Sequence, residues 1–457
     1  MNKYIKYILL FVILGLCFFV GCDQEPVEQK PVEEPCQHEE CEWKWEEDAK
    51  CNKNNMMYYT CTKCGAVLDE KEEFKDHELV ETREEPTCTE NGYIHAECKN
   101  CTYKYNKVLS ATGHDYEVKI EKEATDTEYG IKYEECATCH TVGKRYEYVN
   151  NGFSSHGKLR VVGTKLLDEN NNVMVLAGLS THGLQWAGKF VNLNTFKALR
   201  NEWGINVMRL SLYPEEGGYS ECSETKKEEL YQLVASGIRY CTELDMYVIV
   251  DWHMLGENFH TEDAVEFFDR ISKEFKDQNN ILYEIMNEPS RGATWANCKD
   301  HANACIPVIR NNQPNAIILV GNPSFSADLV SVANSPLDYD NIMYTFHFYA
   351  ADNCMTDKIT TAIKKRIPVF ISEHGGMDAD GNGSVNFTNL NKWYKVIDDN
   401  KLSFVAWNLS NTKGDASIFK PTTTTLDDLS DDLLKPWGIT YRDRVRKYFG
   451  LPVKTTN

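Results

Sequence analysis

The chain has 457 residues and a formal net charge of −20 at pH 7. This length is too great for one ordinary domain and predicts two or three. The acidic charge disfavours a polyanionic partner such as nucleic acid, but it is compatible with a neutral one such as a polysaccharide. Ten of the seventeen cysteines lie between positions 36 and 139, so a cysteine-dense front precedes an ordinary globular back.

The start of the chain has the form of an export signal. Two lysines precede an apolar run at 8–20, which is too short for a comfortable membrane span and typical of a signal-peptide core. The run ends in Phe-Val-Gly-Cys, closing on Cys22, and resembles the lipobox of bacterial lipoproteins. The resemblance implies a signal peptide at 1–21 and lipidation of Cys22, which would anchor the exported protein to the bacterial membrane or cell surface. Phe stands where Leu is usual, so secretion after ordinary cleavage, or an uncleaved anchor, is the alternative.

The next segment, 22–35, is acidic and rich in proline. Such a composition cannot build an apolar core. We therefore expect it to act as an extended tether.

A cysteine repeat occupies residues 36–150. Four side chains recur with the pattern Cys-x9-Cys-x2-Cys-x12-His, and each member of the second set lies 37 positions after its counterpart. The first set is Cys51, Cys61, Cys64 and His77, and the second is Cys88, Cys98, Cys101 and His114. A third copy is degenerate, because it keeps Cys136 and Cys139 but has Asp126 and Gly152 at the other two positions. His38 is interpreted as the remnant of a preceding copy.

The repeated side chains are suited to structural zinc. Three cysteines and one histidine complete a closed tetrahedral site, and Cys-x2-Cys is a usual zinc-knuckle spacing. Zinc would stabilise units that are too small to bury enough apolar surface alone. A disulfide framework is the alternative and is favoured by export, but it gives the recurring histidine no role. The segment also resembles cysteine-rich repeats of bacterial surface proteins, which implies a spacer or attachment module.

From about residue 157 strand and helix patterns alternate. A small hairpin is expected at 159–168, followed by a series of apolar strands. The predicted strands are 175–179, 207–211, 247–251, 281–285, 317–320, 342–346, 369–371 and 404–407, with helices such as 226–243 and 264–275 between them. Eight βα units in about 280 residues predict an α/β fold, a (β/α)8 TIM barrel at 157–450. A doubly wound sheet is the alternative, but it would rarely need eight parallel strands.

Polar and aromatic side chains stand at the carboxyl ends of these strands, where the active site of such a barrel lies. The strand ends carry His182, Arg209, His253, Asn287, Glu288, His347, Tyr349, Glu373 and Trp407. Two strand-end carboxylates, Glu288 and Glu373, are what cleavage of a glycosidic bond requires. A retaining mechanism needs them about 5 to 5.5 Å apart, a distance that strands four and seven can span across a barrel mouth.

At these residues the chain is similar to glycoside hydrolase family 5, in particular its bacterial endo-β-1,4-glucanases. The matching segments are 178–186, 207–209, 250–253, 283–289, 347–350 and 407–410, within a resemblance that covers about 157–449. The resemblance implies a retaining endoglucanase that hydrolyses cellulose or related β-glucans without a catalytic metal or organic cofactor. The alternatives are another β-glycanase, acting on mannan, mixed-linkage glucan or xyloglucan, and a non-catalytic carbohydrate-binding surface protein.

The resemblance also implies roles for single residues. Glu288 would be the acid/base and Glu373 the nucleophile. Arg209 and Tyr349 would hydrogen-bond the nucleophile, and Asn287 would contact the 2-hydroxyl of the reacting sugar. The other implied substrate-binding residues are His253 and His347 around the reacting sugar, Trp186 and Trp407 as stacking faces, His182 for sugar hydroxyls, and Lys413.

Two positions depart from the family pattern. His374 follows the nucleophile where the family has Trp, and this bears on local packing, on tuning of the nucleophile or on the pH optimum. Lys413 matches the family's sugar-binding lysine only after a shift of one residue.

Overall fold

A computed structural model describes residues 36–125, 128–352 and 354–453. The predicted signal peptide and tether, with Cys22, lie outside the described residues. Within the described ranges, no helix combines the length and the apolar character that crossing a bilayer requires.

The chain divides into two compact units between Gly113 and His114. The first unit contains two antiparallel sheets of three strands each. In both sheets the strands lie side by side in their sequence order. The strands are β1 (Cys41–Trp45), β2 (Lys53–Cys61), β3 (Val67–Lys75), β4 (Leu79–Glu84), β5 (Gly92–Cys98) and β6 (Lys104–Leu109). Most side chains of these strands are exposed or half-buried, so the sheets bury little apolar surface.

The second unit begins with a third sheet of the same kind. Its strands are β7 (Tyr116–Lys122), β8 (Gly130–Cys136) and β9 (Val142–Tyr148), and a one-turn helix α1 (Phe153–His156) follows. This sheet contacts the larger domain through ion pairs, including Arg446 to Glu147 at 2.8 Å and Lys144 to Glu202 at 3.0 Å. The third repeat is therefore part of the same compact unit as the domain that follows it.

That domain is a closed barrel of eight parallel strands, which confirms the predicted (β/α)8 fold. A hairpin of β10 (Arg160–Val162) and β11 (Lys165–Leu167) precedes it, as expected. The barrel strands are β12 (Ala177–Thr181), β13 (Val207–Leu212), β14 (Tyr247–Trp252), β16 (Ile281–Glu284), β18 (Ile317–Val320), β19 (Ile342–Tyr349), β20 (Val369–Gly375) and β21 (Phe404–Leu409). Outside the barrel, β15 (Leu255–Gly256) pairs with β17 (Glu288–Pro289).

Helices surround the barrel. They are α2 (Leu184–Ala187), α3 (Leu193–Ala198), α4 (Glu224–Glu243), α5 (Thr261–Glu274), α6 (Trp295–Asn312), α7 (Pro323–Ser326), α8 (Leu329–Asn334), α9 (Thr356–Lys364), α10 (Phe387–Asn400) and α11 (Pro436–Tyr448). Polar caps begin the two longest: the Ser223 side chain accepts a hydrogen bond from the Lys226 amide at the start of α4, and Thr294 forms a capping box with Asn297 at α6. Such caps satisfy amides that the helix itself leaves without a partner.

The core has two layers. Inward-facing side chains such as Ile249, Leu319 and Phe370 fill the barrel, and Leu159 and Leu166 of the hairpin region join this cluster. A second cluster fills the space between the strands and the helices. Because strands buried on both faces have few polar residues, any charged side chain inside the barrel requires a specific partner.

Candidate active site

A short ladder outside the barrel fixes Glu288. Strand β16 ends at Glu284, four residues before Glu288. The Glu288 amide donates to the Met254 carbonyl at 3.0 Å, and the Ser290 amide donates to Gly256 at 2.8 Å. The sequence predicted a strand at 281–285 with Glu288 just after it, and the structure agrees. The segment beyond the strand is held by the pairing of β15 with β17, which was not predicted.

Glu373 lies within β20 and is buried. The Tyr349 hydroxyl donates to Glu373 Oε1 at 2.8 Å, and Arg209 Nη1 donates to Oε2 at 3.1 Å. Burial, followed by the negative charge of Glu373, raises the pKa of Tyr349 well above its usual value, so this hydroxyl remains a donor. The two bonds orient the carboxylate, and each of its oxygens accepts one of them.

Arg209 is completely buried and joins three carboxylates. Its Nε donates to Glu284 Oε2 at 2.7 Å, and its Nη2 lies 3.1 Å from Asp251 Oδ2. With Glu373 this makes one guanidinium for three acids. Burial opposes the charge on Arg209, but the three carboxylates raise its pKa above the usual value. Burial raises the pKa of Glu284, but Arg209 and His347 together outweigh it and hold this pKa at about 2.

Glu288 and Glu373 face each other. Carboxylate oxygens of the two residues lie within 4.8 Å of each other and of a ring nitrogen of His347. Both carboxylates line a cavity of about 450 Å³, together with Tyr349 and the exposed ring of Phe325. This separation matches the spacing of retaining glycosidases and is too short for the water that inverting enzymes place between their two acids.

His347 connects Glu288 to the buried acids. Burial alone would lower the pKa of His347, but its interactions with the carboxylates of Glu284 and Glu288 raise it to about 9. The protonated ring donates from Nδ1 to Glu288 at 2.8 Å and from Nε2 to the Ser372 hydroxyl at 2.9 Å. Ser372 in turn donates to Glu284 at 2.7 Å. This chain of donors fixes the orientation of the ring against Glu288.

A second histidine orients Asn287. His253 Nδ1 donates to Asp251 at 2.7 Å, and its Nε2 accepts from Asn287 Nδ2 at 3.2 Å. Burial, and then the charge of Arg209, lower the pKa of His253 well below its usual value, so it is neutral and one nitrogen can accept. Arg209 Nη2 donates to Asn287 Oδ1 at 2.7 Å. The amide of Asn287 is therefore held at both ends.

Aromatic rings form one wall beside these groups. Trp407 stacks on His253 with ring centroids 5.0 Å apart, and the peptide bond after Trp407 is cis. His182 lies 5.3 Å from Trp407 and 5.4 Å from Trp186, whose ring is 49% exposed. Burial lowers the pKa of His182 to about 4, so it is a neutral side chain at this wall.

His374 does not contact the carboxylates. Its Nδ1 donates to the Val405 carbonyl at 2.7 Å, and its ring lies among aromatic side chains between the barrel and the outer helices. These are Phe348, Tyr394, Phe404, Trp437 and Tyr441. Because side chains alternate along a strand, Glu373 and His374 point to opposite faces. Of the three consequences considered from the sequence, local packing is the one that the contacts of His374 show directly.

Lys413 is exposed in the loop after β21. Its backbone carbonyl accepts a hydrogen bond from Lys435 Nζ at 3.0 Å. Among the described contacts, none joins Lys413 to another predicted site residue. The other predicted substrate-binding residues do contact one another or the two carboxylates.

The cysteines and histidines of the first unit form two sets of four side chains. These sets differ from the two that the sequence repeat predicted. Set one is Cys36, His38, Cys61 and Cys64, and set two is Cys51, His77, Cys98 and Cys101. The predicted grouping of Cys51 and His77 with Cys61 and Cys64 is therefore wrong, as is that of Cys98 and Cys101 with Cys88 and His114. His38 is a full member of a set. In the second unit His114 lies 3.3 Å from the sulfur of Cys139, so this knuckle has a histidine partner of its own.

Sequence reasoning missed several residues of the active site. Asp251 and Glu284 are buried acids on Arg209, Ser372 connects His347 to Glu284, and Tyr213 stacks on His253 at 4.3 Å. The signal that could have found the two acids was their position inside apolar strands, where an ionised side chain requires a buried cation.

The fold and the site define a class. Two facing carboxylates at the mouth of a (β/α)8 barrel, one held by Arg and Tyr, characterise a retaining glycoside hydrolase domain.

Comparison with known proteins narrows the class. Residues 167–413 match the family model for cellulase, glycosyl hydrolase family 5. Endoglucanase A of Butyrivibrio fibrisolvens is 39% identical over 297 residues, which cover 64% of this chain and 69% of that protein. An endoglucanase of Clostridium saccharobutylicum is 39% identical over 289 residues, covering 62% of this chain and 64% of that protein, which is less than two thirds of its length.

A solved structure agrees. The catalytic domain of Thermobifida fusca endoglucanase Cel5A superposes with a TM-score of 0.61 at 33% identity, over 64% of this chain and 99% of that one. A variant of the same domain has been solved in complex with cellotetraose. The chain belongs to glycosyl hydrolase family 5.

Proposed function

We propose that the barrel is a retaining endo-β-1,4-glucanase that hydrolyses internal bonds of cellulose or related β-glucans. The observation that carries this proposal is the approach of Glu288 and Glu373 to within 4.8 Å. Relatives named as endoglucanases at up to 39% identity support the choice of substrate.

The reaction would proceed in two displacements. In the first, Glu373 attacks the anomeric carbon while Glu288 gives its proton to the glycosidic oxygen, and the leaving chain departs. In the second, Glu288 takes a proton from water, which attacks the anomeric carbon and releases Glu373. Each step inverts the centre, so the product has the configuration of the substrate.

The hydrogen bonds suit these roles. Arg209 and Tyr349 stabilise Glu373 as a carboxylate, the form that can attack. A hydrogen bond from His347 holds the side chain of Glu288 in position. Arg209 and His253 fix the amide of Asn287, and we assign this residue to the 2-hydroxyl of the reacting sugar, a contact that strengthens in the transition state.

Replacement of the nucleophile tests the proposal. Glu373→Gln should reduce the release of reducing ends from soluble cellulose by about 10⁴-fold or more, because no covalent intermediate can form. Glu262→Gln, an exposed acid at the start of α5, is the matched control and should retain full activity. Unchanged turnover by Glu373→Gln would contradict the assignment.

Another β-glycan remains the alternative substrate. An assay of the protein on carboxymethyl cellulose, mannan, mixed-linkage glucan and xyloglucan decides between them. The proposal requires the highest kcat/KM on the cellulose derivative, and a clear preference for mannan, mixed-linkage glucan or xyloglucan would replace it.

The proposal has two further parts outside the barrel. Cys22 carries a lipid that anchors the protein to the bacterial membrane, supported by the form of the preceding segment. Fatty-acid labelling should then be lost in Cys22→Ala, and persistent label would contradict it. The cysteine and histidine sets bind structural zinc, supported by their composition and by the closeness of their ligand atoms. Metal analysis of the purified protein tests this part.

A further inference from the structure

The two sets of the first unit follow one rule of assembly. In set two, Cys98 and Cys101 form the knuckle between β5 and β6, and His77 stands just before β4, the first strand of the same sheet. The fourth member, Cys51, comes from the preceding sheet, where it lies between β1 and β2.

Set one is built in the same way. Its knuckle, Cys61 and Cys64, lies between β2 and β3, and His38 stands before β1. Cys36 comes from the chain upstream of the sheet. In both sets, one sheet supplies the knuckle and its preceding histidine, and the fourth ligand comes from earlier in the chain.

The distances fit a metal site better than a disulfide. The sulfurs of Cys36 and Cys61 are 3.6 Å apart, and those of Cys51 and Cys98 are 3.7 Å apart. A disulfide bond is about 2.05 Å long, whereas two thiolates on a tetrahedral zinc ion are separated by about 3.8 Å, from a Zn–S bond of about 2.3 Å.

The histidines complete the geometry. Nδ1 of His38 lies 3.3 Å from the sulfur of Cys64, and Nδ1 of His77 lies 3.4 Å from that of Cys101. A sulfur and a nitrogen on one zinc ion are about 3.6 Å apart. The ring of His77 is stacked on Tyr103 with centroids 4.1 Å apart and planes 8° apart, which fixes its orientation. Three thiolates and an imidazole favour zinc among the common ions.

We propose that each zinc ion joins successive parts of the chain rather than closing a single repeat. The ion on Cys51, His77, Cys98 and Cys101 cross-links the sheet β1–β3 to the sheet β4–β6. The ion on Cys36, His38, Cys61 and Cys64 ties the start of the described chain to the first sheet. This inference rests on the proposed binding of zinc and specifies which ligands share an ion.

Paired substitutions in the full-length protein distinguish the two groupings. Zinc per chain is counted by native mass spectrometry after dialysis against a competing chelator. Cys51→Ser with Cys98→Ser removes two ligands of one ion and should lose one zinc relative to the parent protein. Cys51→Ser with Cys61→Ser removes one ligand from each of two ions and should lose two.

The two double variants are matched in number and type of substitution, so a general loss of folding would affect both alike. If each site were closed within one repeat, the result would be reversed: two ions would be lost in Cys51→Ser with Cys98→Ser and one in Cys51→Ser with Cys61→Ser. This result would overturn the inference but not the proposed zinc binding. Cys222→Ser is the control, because Cys222 lies outside both sets, between β13 and α4 of the barrel domain, and should lose none; a lost ion would refute the ligand assignment. A parent protein without zinc would overturn the inference together with the proposed zinc binding.

Discussion

Every side chain of β13, β14 and β20 is buried, whereas every side chain of β4 is exposed. The barrel strands are covered on both faces, by the filled interior and by the helices, so burial of apolar surface can stabilise them. The sheets of the first unit have little such surface to bury. The difference teaches that packing stabilises the barrel, whereas the small sheets need another source of stability, which the proposed zinc sites would supply.

Removal of the proposed zinc should unfold one region and leave the other unchanged. A strong chelator should unfold β1–β6, because metal binding in such small units is worth about 10–16 kcal/mol per ion and replaces the missing core. Hydrolysis by the barrel should continue. Circular dichroism and reducing-end release, followed in one sample, measure both. If the sheets stayed folded without metal, bound metal would not be what stabilises them, and this part of the comparison would be wrong.

Within the barrel, replacement of Glu288, the proposed acid/base, should have the next largest effect. Glu288→Gln should reduce kcat on cellulose by about 10²–10⁴-fold, since the leaving oxygen would no longer receive a proton. An aryl cellobioside with an acidic phenol as leaving group needs no such proton for the first step. A rapid release of one phenol per enzyme followed by slow turnover is expected, and equal losses on both substrates would argue against the role of Glu288.

Arg209 tests whether the buried charges stabilise the barrel or only its chemistry. Arg209→Met leaves Asp251, Glu284 and Glu373 without their shared cation, and this should cost about 3–5 kcal/mol of unfolding free energy. Denaturant unfolding measures the change. Lys395→Met, which removes an exposed ion pair with Asp399, is the control and should leave the unfolding free energy nearly unchanged.

His374 should give a smaller effect, visible only in acid. Burial lowers its pKa to about 3, against about 6.5 in an unfolded chain. Between these values the unfolded chain binds a proton that the folded barrel excludes, so stability should fall as the pH drops from about 6.5 towards 3. In His374→Phe this part of the slope should disappear, whereas His140→Gln, at an exposed histidine, should leave it unchanged. An identical slope in His374→Phe would show that the ring does not resist protonation.

Much of the barrel could be predicted because its signal is local. The run 317–320 was predicted as a strand and is β18 with the same bounds, since a strand buried on both faces is a continuous apolar run. The strand predicted at 369–371 extends to Gly375, because polar residues that line a site interrupt the apolar pattern without ending the strand.

The rest depended on contacts that the sequence does not carry. Glu288 lies four residues beyond its strand and pairs with Leu255 in a short ladder. No alternation of apolar and polar residues in the sequence predicts this pairing. The predicted grouping of the cysteines and histidines failed for another reason. A constant offset of 37 positions is the same whichever frame is chosen for the repeat, so it could not tell that Cys51 pairs with Cys98 rather than with Cys61.

The configuration of the first product tests the central claim most directly. Proton NMR of a short β-1,4-glucan during hydrolysis distinguishes the two anomers before they interconvert. The spacing of Glu288 and Glu373 predicts that the β-anomer forms first and the α-anomer accumulates only later by mutarotation. Initial formation of the α-anomer would show that the enzyme inverts, and would contradict the assignment of Glu373 as a nucleophile.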